Sequence, residues 1–119
     1  GAQQLLSSRA RPTAIFASND DMALGVLTAA QRQGIAVPGE LSIVGFDDSP
    51  AATLVWPALT TVRQPVEDMA RMAVDLLVAP GGQAPAASGP GEPAECVLPH
   101  LLVVRDSTAA RRRRRAGAS

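Results

Sequence analysis

Two apolar runs in this chain end in acidic or amide side chains, and that repeated shape constrains the fold more than any other feature. Residues 41–48 read LSIVGFDD, six residues suited to a buried strand and then Asp47 and Asp48. Residues 13–21 read TAIFASNDD, a short β-prone run and then Asn19, Asp20 and Asp21. Between them the pattern predicts a helix running to about Gln33. Ser18 or Asn19 is its N-cap, and Asp20 and Asp21 lie in its first turn, where the helix dipole favours negative charge. Gly34 suits the position just past its end, and Val37-Pro38-Gly39 makes a turn. A strand–helix–strand crossover between parallel strands is almost always right-handed. Asn19 and Asp47 are then expected at the same edge of one sheet, where ligands of open α/β folds bind. The expected class is α/β, a mostly parallel sheet flanked by helices.

The rest of the chain extends this unit. Residues 1–8 read as the last turns of a helix that starts earlier. Residues 59–62 (LTTV) predict a third strand, and Pro65 opens a helix at its first position, where a missing N–H costs nothing. Val66, Met69, Ala73, Leu76 and Leu77 line one face of that helix, and Glu67–Arg71 and Arg71–Asp75 are i,i+4 pairs on the other. Residues 80–93, rich in Gly, Pro, Ala and Ser, predict a flexible loop. Residues 95–98 and 101–105 predict two short strands. In the first long helix, Met22, Val26 and Ala29 form a stripe expected to pack on the sheet. Leu24 and Leu27 fall nearly opposite and are expected at a subunit interface, because a helix apolar on two sides needs a second surface.

Charge and composition exclude several functions. The formal net charge is zero, but Arg111 to Arg115 supply five of the eleven basic residues. The remainder sets six Arg against eleven acids, a net of −5, which argues against a DNA-gripping face on the body. The Arg run itself reads as a solvated, disordered tail, residues 111–119, after a body of residues 1–110. One Cys and one His make neither a disulfide nor a metal site. No apolar run reaches the ~20 residues that span a bilayer, and no signal peptide opens the chain, so a cytoplasmic protein without membrane contact is expected. Four acids after two strands could hold Mg²⁺ for phosphoryl transfer, as in a phospho-receiver domain. That chemistry needs a lysine beyond a later strand, and the chain contains none. A phosphate-binding Gly-rich loop and a G-x-S-x-G elbow are also missing. No enzyme activity and no cofactor are expected. An amide and a carboxylate at a strand edge suit the hydroxyls of a small polar ligand, since a carboxylate accepts two hydrogen bonds and an amide both donates and accepts.

The run PTAIFASNDDMALGVLTAAQRQGIAVPGELSIVGFDD, followed by PALTTVRQP and then LPHLLVVRDST, resembles the effector-binding region of LacI/GalR-family bacterial transcription regulators. The likeness covers about residues 12–108 in order and spacing, and VGFDD with LTTVRQP is a specific combination. It implies a periplasmic-binding-protein-like type I fold of two lobes that close on an effector, often a sugar, in a homodimer. Operator DNA would be met only through an N-terminal helix-turn-helix that this sequence does not include. By position the resemblance makes Asn19, Asp47, Gln64 and Val66 effector contacts, and Leu24, Val55 and Trp56 dimer-interface residues, to which the helix pattern adds Leu27. It also implies a truncated regulator: the C-terminal lobe, plus one helix and one strand of a lobe otherwise absent. A sugar-binding solute receptor of an ABC transport system shares the fold and is the alternative function.

Overall fold

A computed structural model describes residues 1–78 and 96–110. The expected flexible loop at 80–93 and the Arg-rich tail at 111–119 lie outside the described residues. In chain order the elements are α1 (Ala2–Leu6), β1 (Ala14–Phe16), α2 (Asp20–Arg32), β2 (Ser42–Phe46), α3 (Ala51–Leu54), β3 (Thr60–Arg63), α4 (Val66–Val78) and β4 (Leu101–Val103). The sheet order is β1-β2-β3-β4, with β1 parallel to β2 and β2 parallel to β3. The chain divides into two compact units, Gly1–Arg63 with Leu102–Ser119, and Gln64–Leu101.

The first unit holds the core. Its centre is Leu41, Ile43 and Leu59, none with exposed surface, packed with Ala23, Val26, Leu27 and Ala30 of α2. That i, i+3, i+4, i+7 set is the face α2 lays on β2. The stripe expected from Met22, Val26 and Ala29 is therefore rotated: Met22 is 58% exposed, and Leu27 is only 3% exposed. Leu27 is consumed by its own core and has no surface to offer a partner, which corrects its reading as an interface residue. The helix ends as expected. Gly34 takes φ +67°, its N–H donates to the Gln31 carbonyl at 3.1 Å, and the Ile35 N–H donates to the Ala30 carbonyl at 3.0 Å. These two bonds form a Schellman motif, and they bury Ile35. The Val37–Pro38 peptide of the following turn is cis.

Along β2, strand β3 begins only opposite Val44. The segment after β4 fills the place that β3 leaves open. The Ile43 N–H donates to the Ser107 carbonyl at 2.9 Å, and Asp106 and Ser107 both donate to the Ala58 carbonyl at 3.0 Å. The Ser107 hydroxyl, fully buried, donates to the Ile43 carbonyl at 2.6 Å and accepts the Thr60 N–H at 2.8 Å. A serine closes this seam because its one hydroxyl can donate and accept together.

The second unit contains α4. Pro65 sits just before the helix, where its carbonyl accepts the Met69 N–H at 2.9 Å, one residue earlier than expected. None of the residues of α4 is buried, and Val66, Met69 and Leu77 are 63%, 46% and 85% exposed. Met69, Met72, Ala73 and Leu76 line a shallow hollow of about 250 Å³ with Cys96 and Leu98. Arg71 pairs with Asp68 at 3.5 Å, an i,i+3 pair in place of the expected i,i+4 pairs. Cys96 to Leu98 form no strand, and the expected strand at 101–105 shortens to β4.

Two substitutions test this packing. Ser107→Ala leaves the Ile43 carbonyl and the Thr60 N–H without the hydroxyl between them, and urea unfolding should show a loss of about 1–3 kcal/mol. Gly45→Ala should cost about 2 kcal/mol or more, because its Cβ would meet the Asp20 carboxylate and lie 2.9 Å from Leu59 Cδ2. Unchanged unfolding midpoints would contradict both accounts.

Candidate functional site

The site is built at the carboxyl edge of β1 and β2. Phe16 pairs with Val44 across the two parallel strands, and the Ala17 N–H continues the ladder to the Val44 carbonyl at 2.9 Å. Asn19 follows the end of β1 and Asp47 the end of β2, so the two emerge at the same edge of the paired parallel strands. Asn19 is the N-cap of α2: its side-chain oxygen accepts the Met22 N–H at 2.8 Å. Capping uses the amide oxygen, and among the described residues the amide nitrogen donates to no protein group. Asp47 is exposed and takes φ +114°, and Asp48 after it takes φ +56°. Left-handed backbone at two successive non-glycine residues stores strain of order 1–3 kcal/mol each, a cost tolerated mainly where the surroundings enforce it.

Here the enforcing groups are two more carboxylates. Asp48 is clamped: Arg63 Nε donates to Oδ2 at 2.6 Å, Arg105 Nη2 to Oδ1 at 2.5 Å, and the Asp48 side chain is 6% exposed. Its N–H donates to Thr61 Oγ1 at 3.3 Å, and the Asp47 N–H donates to the Val62 carbonyl at 2.8 Å. Burial pushes the Asp48 carboxyl up, but Arg105 and Arg63 outweigh it and hold the group below its ordinary value. Asp20, 1% exposed, accepts the Thr61 hydroxyl at 2.6 Å and the Ser49 N–H at 2.7 Å. It ties the start of α2 to the loop after β2 and to β3, a larger role than the dipole acid the sequence suggested. Gly45 makes room for it, since a Cβ there would strike the carboxylate.

The other expected site residues are distributed. Gln64 and Val66 lie in the second unit; Gln64 is half-buried and Val66 63% exposed. Leu24 and Val55 are half-buried against the core of the first unit. Trp56 is 80% exposed beside Leu54 at 82%, and its peptide bond to Pro57 is cis. Among the described residues no group of three His, Cys, Asp or Glu could hold a metal ion. No described helix is long and apolar enough to cross a membrane. What the rim offers is an exposed carboxylate and a half-buried amide on adjacent strand ends, held by the Asp48 ion pairs and the Asp20 hydrogen bonds behind them. That arrangement suits non-covalent recognition of hydroxyl groups.

Comparison with known proteins bears on this arrangement. A family model described as a periplasmic binding protein-like domain matches residues 1–108. The lactose operon repressor of Rhizobium radiobacter is 46% identical over 77 residues, covering 65% of this chain and 68% of that protein. The HTH-type transcriptional regulator GalS of Salmonella typhimurium is 51% identical over 73 residues, 61% of this chain. The chain spans only 22% of that regulator's length. Among solved structures, a LacI family transcriptional regulator from Lactobacillus casei with bound sucrose superposes with a TM-score of 0.69 at 34% identity, covering 90% of this chain and 38% of that one. The lac repressor dimer bound to operator and the anti-inducer ONPF superposes with a TM-score of 0.77 at 33% identity, covering 92% and 36%.

The strain and the clamp each yield a measurement. Asp47→Gly should be more stable than Asp47→Ala by about 1 kcal/mol in urea unfolding, because only glycine relaxes at positive φ; equal stabilities would remove the strain. The Asp48 clamp stabilises the fold fully above the unfolded carboxyl pKa and loses its effect as pH falls through the lower folded value. Stability should therefore drop below about pH 4. Asp48→Asn should be less stable at pH 7 and fall less steeply in that window; an identical acid profile would refute the clamp.

Proposed function

The chain belongs to the LacI/GalR family of transcription regulators, within their periplasmic-binding-protein-like effector domain, and from that premise we propose that its β1–β2 edge binds a sugar effector. The observation that supports this reading is that Asn19 and Asp47 both follow the carboxyl ends of two paired parallel strands. The carboxylate of Asp47 would accept from two neighbouring hydroxyls and the amide nitrogen of Asn19 would donate to a third. Gln64 and Val66 are the further residues proposed to meet the ligand. In the whole regulator, effector binding would change affinity for operator DNA through a separate DNA-binding segment, and the protein would work in the cytoplasm.

We propose self-association into a homodimer as a second element of the same reading. Trp56 and Leu54 present large apolar side chains to solvent in the first unit, and exposed aromatic anchors are enriched at binding hot spots. Leu24 and Val55, half-buried, would border that patch. Trp56→Arg should shift the chain toward monomer in sedimentation velocity at micromolar concentration; a wild-type chain that is already monomeric there would exclude the dimer.

Sugar recognition is tested by calorimetry with sucrose and glucose as probes. Asp47→Ala should weaken binding about tenfold or more, as expected for losing a charged hydrogen-bond acceptor. Asn19→Asp keeps the capping oxygen, replaces the donor with an acceptor and adds a negative charge at the helix N-terminus, where the dipole favours it. It should leave unfolding stability within about 0.5 kcal/mol while weakening sugar binding. Full sugar affinity in both variants would take this edge out of the site.

A further inference from the structure

The chain leaves the first unit after Arg63 and re-enters it at Leu102. Each crossing carries an arginine within a few residues of that boundary, Arg63 on the way out and Arg105 on the way back. Both reach the same carboxylate. Arg63 Nε lies 2.6 Å from Asp48 Oδ2 and Arg105 Nη2 lies 2.5 Å from Oδ1, so each oxygen holds one crossing. We infer that Asp48 is a positioning residue that fastens both chain crossings to the strand end presenting Asp47, so that the crossings and Asp47 shift together.

Three features of the surroundings support one fastening point over two separate ion pairs. The Asp48 side chain is nearly enclosed while that of Arg63 is 55% exposed, so the burial lies with the acid common to both pairs. Removing one partner of an enclosed pair leaves a poorly compensated charge, which makes such a junction costly to loosen on one side alone. The backbone on either side is bound to β3 as well. Asp48 N–H meets Thr61 Oγ1, Asp47 N–H meets the Val62 carbonyl, and Arg105 uses its own N–H on Thr60 Oγ1 at 2.9 Å and Nη1 on the Leu59 carbonyl at 2.9 Å. Thr61 Oγ1, which accepts from Asp48 N–H, also donates to Asp20. The positive φ values of Asp47 and Asp48 belong to this junction. Rotating either crossing must pull on the acid, and the acid is joined by one peptide bond to Asp47.

The proposal rests on the sugar-binding reading only for what Asp47 touches. The fastening itself is read by hydrogen exchange on the full chain, with no ligand present. Asparagine has a single acceptor oxygen, so Asp48→Asn can keep only one arginine. In Asp48→Asn the amides of Asp47, Asp48 and Arg105 should exchange about tenfold faster or more, the scale of one lost charge-assisted hydrogen bond, while Ala23, Val26 and Ala30 in α2 stay unchanged. Arg63→Gln, at a side chain 55% exposed, should speed all three amides as well, because the junction is shared. Acceleration confined to the mutated crossing would overturn the proposal, and so would equal acceleration throughout α2, which marks general loss of stability. If Asp48→Asn does not fold, the Arg63→Gln pattern decides alone. Sucrose and glucose binding is then compared: weaker binding in Arg63→Gln at unchanged α2 exchange supports transmission to Asp47. Wild-type chain that binds neither sugar defeats the functional reading and leaves the exchange pattern to judge the fastening.

Discussion

The buried carboxylate of Asp20 is the constraint from which the rest of the site follows. A carboxyl group with 1% exposure survives in a core only when its hydrogen bonds are supplied. The Thr61 hydroxyl and the Ser49 N–H supply them, from two different segments. The start of α2, the loop after β2 and the strand β3 are thereby held at one point. Gly45 is the matching sequence requirement, because any Cβ would occupy the space the carboxylate needs. Asn19 begins the helix one residue before Asp20, so the amide offered at the rim is placed by the acid buried behind it.

On the same edge the acids divide their work by burial. Asp20 and Asp48 are enclosed, while Asp47 is exposed and takes a backbone conformation that an L residue seldom adopts. An exposed acid on strained backbone persists only where the surrounding structure enforces it. Apolar surface tells a parallel story in the second unit. Helix α4 is amphipathic by sequence and yet buries none of its residues. Its apolar face is a surface whose burial the described residues do not provide.

Much of this was readable from the chain itself. The Asn19 cap and the Gly34 ending follow from neighbours within a few residues, and the strand–helix–strand unit with its shared edge follows from hydrophobic patterning and the right-handed crossover rule. What escaped were features set by distant partners. Asp48 looks like a turn residue until Arg63 and Arg105 arrive from 15 and 57 residues away. Asp20 looks like a dipole acid because that role explains an acid in a first turn sufficiently. Ser107 gives no local sign that it closes the seam between β2 and β3. The rotated face of α2 has another reason: alanines carry little weight in a hydrophobic pattern, yet Ala23 and Ala30 are the helix positions with no exposed surface. The one available signal was the glycine of VGFDD, a residue that weakens a strand unless something needs its space.

The central claim is that the amide of Asn19 and the acid of Asp47 form one ligand-facing rim. Amide chemical-shift mapping on isotope-labelled chain, titrated with sucrose and with glucose, tests it most directly. The account predicts shifts that grow with sugar and centre on residues 18–20 and 46–48. Shifts centred elsewhere, such as the hollow lined by Leu5, Phe16 and Met22, or no shifts at millimolar sugar, would contradict it.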